Sequence, residues 1–135
     1  MTFLQGNNDK PAVTMPDYIA RAIGKGDIKG VLKWINANRS SDRANAVSSA
    51  EALSVSALTY AIISDRLELM SLLLQLGANV NFRDGRGFTA MRLLFSHSEL
   101  LATGNASLRV RLLLSWGATF FSDAGRPELK RRMYF

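Results

Sequence analysis

Between Ser56 and Thr89 the chain runs through two apolar helix patterns, a glycine stop and a turn-rich segment, and then starts the same order again. Leu67, Leu69, Met70, Leu72, Leu73, Leu74 and Leu76 are too densely apolar for a helix with one buried stripe, so this helix is expected to be covered on more than one side. Asp65 followed by Glu68 has capping-box spacing, which predicts a helix start near Arg66 with Asp65 as its cap. Gly77 ends the pattern, because the residue after a last turn commonly enters the left-handed region, where glycine alone avoids a Cβ clash. Asn79, Asn81, Asp84, Gly85 and Gly87 then supply turn chemistry. Such a helix pair cannot bury both of its apolar faces alone and predicts neighbouring copies.

Copies are present. Thr89 lies 33 residues beyond Ser56 and opens Thr89-Ala90-Met91-Arg92-Leu93-Leu94, followed by a second helix at Leu108–Leu114 and by Gly117-Ala118. Gly117 lies 40 residues beyond Gly77, so this copy carries about seven extra residues, placed within His97–Asn105. Upstream, Ala22 to Val31 aligns with the segment starting at Ala61, an offset of 39 that implies about six extra residues in the connecting loop. Gly77-Ala78-Asn79-Val80-Asn81-Phe82-Arg83-Asp84-Gly85-Arg86-Gly87-Phe88-Thr89 resembles the GAxVNxxDxxGxT hairpin of ankyrin-repeat proteins, and Gly117-Ala118 and Lys25-Gly26-Asp27 are weaker matches. The family's TPLH tetrapeptide is replaced by Ser56-Ala57-Leu58-Thr59 and Thr89-Ala90-Met91-Arg92. Thr59 keeps a hydroxyl donor and Arg92 cannot imitate a neutral imidazole, so a divergent, less regular stack is expected. The resemblance implies an all-α fold, an ankyrin-type helical solenoid of stacked antiparallel helix pairs. Its expected divisions are a flexible tail at 1–14 and a single domain at 15–135, with repeats at about 15–55, 56–88 and 89–121 and a capping helix at 122–135.

Pro16 and Asp17 suit a helix start, predicting helices at Asp17–Lys25 and, capped by Asp27, at Ile28–Ala37. Trp34 is expected to be a bulky core residue. Asn38–Val55, rich in Ser, Ala and Asn, is expected to be an inserted loop in place of a regular hairpin, with a short helical turn near Ser49–Leu53 from the Ser48/Glu51 spacing. Asn105 is expected to cap the helix whose buried face is Leu108, Val110, Leu112, Leu113 and Leu114. Pro127 suits the start of a last helix with Lys130, Arg131 and Arg132 outward and Leu129 and Met133 inward.

Composition narrows the function. The chain has 135 residues, 47% of them apolar, enough for one domain with its own core. No run reaches the roughly 18 uncharged apolar residues of a membrane helix, and Met1–Thr14 lacks the pattern of a secretory signal, so a cytoplasmic or nuclear location is expected. His97 is the only histidine and cysteine is absent, so no metal site or cofactor is expected. A GxSxG elbow and a GxxxxGK[ST] loop are also missing, and the chain is not expected to be an enzyme. Seventeen basic against eleven acidic residues give a net charge of +6, which favours an acidic partner surface.

In ankyrin repeats the hairpin tips and inner helices meet partners, and the matching positions are Tyr60, Phe82, Arg83, Arg86, Phe88, Arg92 and Ser96. The resemblance therefore implies a protein–protein interaction module, an adaptor or inhibitor. Two alternatives stay open. One is a nucleic-acid or anionic-surface binder using Arg126, Lys130, Arg131 and Arg132, joined by Arg109 or Arg111. The other is a structural subunit of a larger complex.

Overall fold

The computed structural model describes residues 13–96 and 104–119. Among these, the chain is all-helical, with no strand beyond isolated bridges. The helices are α1 (Asp17–Lys25), α2 (Ile28–Ala37), α3 (Ala57–Ile63), α4 (Leu67–Gln75), α5 (Ala90–Ser96) and α6 (Ala106–Ser115). α1 starts where Pro16 lends its carbonyl to the amides of Ile19 and Ala20. The Asp27 side chain caps α2 by accepting from the Gly30 amide at 3.0 Å, as the sequence predicts. Ser56 Oγ likewise caps α3, accepting from the Thr59 amide.

Four helices end alike. Gly26, Asp65, Gly77 and Gly117 have φ of 75°, 58°, 102° and 92°. In each case the next residue's amide reaches back five positions, Asp27 to Ala22, Arg66 to Ala61, Ala78 to Leu73 and Ala118 to Leu113. Asp65 is the one non-glycine in this set, a residue type that tolerates the left-handed region. That corrects its expected role: α4 begins at Leu67 with no side-chain cap, and the Asp65 carboxylate points elsewhere.

The first helix of each pair packs on the first helix of the next, α1 on α3 and α3 on α5, while α2 lies against α1 and α4 against α3. Ile19 and Ile23, Leu58, Ala61 and Ile62, and Met91 and Leu94 form the line of contact. Val31 and Ile35, then Leu69, Met70, Leu73 and Leu74, then Leu113, close it from the second helices. The buried residues of α4, Leu69, Met70, Leu73 and Leu74, form one broad face packed on α3, while Leu72 is only partly buried and Leu76 is exposed, so the expected cover on a second side is not seen among the described residues. Trp34 packs partly into this core and carries the Arg43 guanidinium 4.5 Å from its ring centre, while Arg43 Nη1 donates to the Trp34 carbonyl.

The segment expected to be an inserted loop is a hairpin of the same design as the one after α4. Ser48 donates its amide to the Val55 carbonyl and accepts the Val55 amide on Oγ. Asp84 does the same with Phe88, through its own amide and Oδ1. Three residues earlier, the Asn45 side chain donates to the Gly77 carbonyl at 2.9 Å and accepts from the Asn79 amide at 2.6 Å. The Asn81 side chain makes the equivalent pair, to the Gly117 carbonyl and from the Thr119 amide, each at 3.0 Å. One asparagine per hairpin therefore ties each pair to the next. The six-residue excess divides in two: 18 residues separate Gly26 from Asn45 against 15 between Asp65 and Asn81, and the tip holds six residues, 49–54, against three, 85–87. The short turn falls at Ala50–Ala52 but has no capping box, because Ser48 Oγ instead accepts from Val55 and donates to the Ala52 carbonyl. Val13 and Thr14, placed at the end of the tail by the sequence reading, pair with Val47.

α6 departs from its expected face. Leu113 is buried and Val110 and Leu112 are partly so, while Leu108 and Leu114 are exposed. The buried position one turn before Leu113 is Arg109, at 0% exposure, where the equivalent residue of α4 is Leu69. Arg109 Nη1 pairs with Asp65 Oδ1 across the junction of the second and third pairs. Asn105 turns its amide toward the same carboxylate at 3.4 Å, so it precedes α6 without capping it. Arg109 is therefore removed from any outward basic surface.

Candidate interaction face

Asp84 organises the hairpin that joins the second and third pairs. Its side chain is 2% exposed. Oδ1 accepts from the Arg86 amide at 2.8 Å and the Phe88 amide at 3.0 Å, and Oδ2 accepts from Arg86 Nη2 at 2.7 Å. Burial pushes this carboxyl upward, but the Arg86 side chain, the Phe88 and Arg86 amides and the Arg86 charge outweigh burial, and the acid is held below its ordinary 3.8. The backbone is thereby folded into a tight loop that sets Arg86 and Phe88 on the same side. Gly85 follows because its amide donates to the Leu53 carbonyl at 2.7 Å, and a Cβ there would stand 2.9 Å from that oxygen. Hairpin tips of consecutive pairs are thus in contact.

Phe88, half-buried, is the centre of the face. The Arg86 guanidinium lies 4.9 Å from its ring centre and that of Arg92, from α5, 4.5 Å. Each such contact is worth about 0.5–1 kcal/mol at an exposed site. Arg92 is placed by the start of α5, where Thr89 Oγ1 accepts its amide. Two cations and an aromatic ring are therefore held in fixed relation, and both arginines face solvent.

The structure brings Arg86, Phe88 and Arg92 together into one stack. Arg83 is exposed in the same hairpin, and Phe82 is half-buried beside it. Ser96 is exposed one turn beyond Arg92, its hydroxyl donated to the Leu93 carbonyl. Tyr60 packs partly against the core from α3. Arg126, Lys130, Arg131, Arg132, the expected capping helix and His97 lie outside the described residues. Sequence reasoning missed Asn45 and the exposed Leu53 at the neighbouring tip. The usable signal for the first was spacing, since Asn45 and Ser48 are three apart like Asn81 and Asp84.

Elsewhere, an open, mostly apolar groove of about 490 Å³ lies between α4 and α6, lined by Leu67, Leu108, Leu112, Arg111 and Glu68. A second hollow of about 250 Å³ beside α1 is lined by Tyr18, Arg21, Lys25 and Asp27. Among the described residues, no cluster of three His, Cys, Asp or Glu side chains is arranged to hold a metal ion. No helix there is long and apolar enough to cross a membrane. No protein-family model, curated protein or solved structure matches the chain.

Proposed function

We propose that the chain is a divergent ankyrin-type stack acting as a non-enzymatic interaction module, an adaptor or inhibitor that binds an acidic surface on another protein through its hairpin tips and first-helix face. The observation that carries this reading is the exposed stack of Arg86, Phe88 and Arg92. Arginine and aromatic side chains are the types that dominate interface energetics, and here they are fixed in place before any partner arrives. The stack reading is supported by helix pairs that follow one another in order and by the paired asparagine bridges from Asn45 and Asn81. A cytoplasmic or nuclear setting belongs to the same proposal.

Affinity capture with the tagged chain tests it, compared with the Arg86→Glu/Phe88→Ala double variant. Partners recovered by the wild-type chain are expected to be lost with the variant while its thermal unfolding remains cooperative. Recovery of the same proteins by both would place the binding face elsewhere. Raised salt is expected to weaken capture only moderately, since a phosphate-backbone contact would fall steeply with salt concentration.

A further inference from the structure

We infer that Arg92 is the side chain that receives a carboxylate from the bound partner, an acidic protein segment carrying an apolar residue next to its acid, and that Arg86 is its positioning neighbour. The inference rests on the reading of this face as a protein-binding one.

Arg86 and Arg92 look alike in sequence but are placed differently. Arg86 already holds Asp84, with Nη2 at 2.7 Å and Nε at 3.2 Å from Oδ2. Its charge is compensated, and two of its three nitrogens are engaged by Asp84 although the side chain stays partly exposed. Arg92 lies on the same ring, and neither of the ion pairs among the described residues involves it. Stacking uses the flat face of a guanidinium and leaves the in-plane N–H donors at its edge, the geometry that takes a carboxylate in two parallel bonds. A guanidinium held against a ring also has less freedom to lose on binding than a lysine on a flexible stem. Asp84, Arg86 and Arg92 together carry one net positive charge, which suits one carboxylate. One feature beside the stack asks for an apolar neighbour on the ligand: Leu53, whose carbonyl meets Gly85, is 42% exposed.

The test uses the full chain with octaglutamate as probe and inorganic phosphate as a parallel arm. Binding is followed by titration calorimetry and by the Nε–Hε signals of the arginines in ¹⁵N spectra. An ionic hydrogen bond of the strength measured in proteins corresponds to about 10–100-fold in affinity. Arg92→Gln is therefore expected to weaken octaglutamate by at least about tenfold, and Arg92→Lys to recover only part of that loss. Arg111→Gln, the same charge change on α6, is expected to weaken it less than about twofold. The Arg92 Nε–Hε signal is expected to shift most, and an acidic peptide in which leucine alternates with glutamate is expected to bind more tightly than octaglutamate. The inference is overturned if Arg92→Gln and Arg111→Gln weaken binding equally, if Arg86→Gln weakens it more than Arg92→Gln, if phosphate shifts the same signals at lower concentration, or if the wild-type chain does not bind octaglutamate. The broader reading stands or falls separately, on whether Arg86→Glu/Phe88→Ala abolishes partner capture.

Discussion

Replacing Asp84 by alanine removes the acceptor that folds the joining hairpin. Two backbone amides, those of Arg86 and Phe88, lose bonds of 2.8 and 3.0 Å to an ionised oxygen. Hydrogen bonds to charged groups contribute about 1.5–3 kcal/mol each when buried. Water can reach this turn once the side chain is gone, which lowers that figure. The Arg86 side chain is 39% exposed, so its ion pair counts for no more than about 1 kcal/mol. The net cost is about 2–4 kcal/mol. At a slope of about 2 kcal/mol per molar of urea, the middle of the range for a small domain, the unfolding midpoint should fall by about 1–2 M with an unchanged slope. The sign of the pH effect follows from the depressed pKa of Asp84. Its contribution is complete above the unfolded value near 4 and is lost as pH falls through the folded value, which lies lower. The gap between wild type and Asp84→Ala should therefore be widest at neutral pH and should narrow as the pH drops below about 4. Urea titrations of both proteins at neutral and acid pH test this. Coincident midpoints at neutral pH, or a gap that does not narrow on acidification, would refute the assignment of Asp84 as the anchor of this hairpin.

Asn45→Ala and Asn81→Ala each remove a two-bond bridge between consecutive helix pairs, and each is expected to cost about 1–3 kcal/mol in urea unfolding. Gly85→Ala drives a Cβ to 2.9 Å from the Leu53 carbonyl oxygen, so a loss of about 1–3 kcal/mol is expected from this single methyl group. Asp65→Ala removes a carboxylate that pairs with the buried Arg109 and is expected to cost about 3 kcal/mol, whereas Asp65→Gly combined with Arg109→Leu should recover part of that loss, because glycine suits the φ of 58° and leucine already fills the equivalent place in α4. Thermal unfolding of the three proteins checks that order.

Helix positions were legible because their signals are local. Pro16, Asp27 and the glycines at 26, 77 and 117 each act within one turn of the chain, and the limits of α1 and α2 follow from them. What the sequence concealed depends on contacts between distant segments. Asp65 has the spacing of a cap, but its left-handed backbone and the arrival of Arg109 from 44 residues away redirect the carboxylate. Arg109 reads as a surface charge, since nothing local marks a cation for burial. Asn38–Val55 reads as an insertion because no glycine stands between the end of α2 and Asn45, and serine stands where the next hairpin has aspartate. Its hairpin identity is seen only through the bonds to Gly77 and Asn79. At the candidate face, residue type pointed to Arg86, Phe88 and Arg92, but the difference between a clamped and an available arginine required the position of Asp84.

The stack of helix pairs is proposed to meet its partner on the side bearing the hairpin tips and first helices. Hydrogen exchange of the chain, alone and in complex with a captured partner, measures this directly. Slowed exchange in residues 83–92, with α4 and α6 unchanged, is the predicted result. Protection confined to Leu67–Gln75 and Ala106–Ser115, around the groove between the second helices, would contradict it.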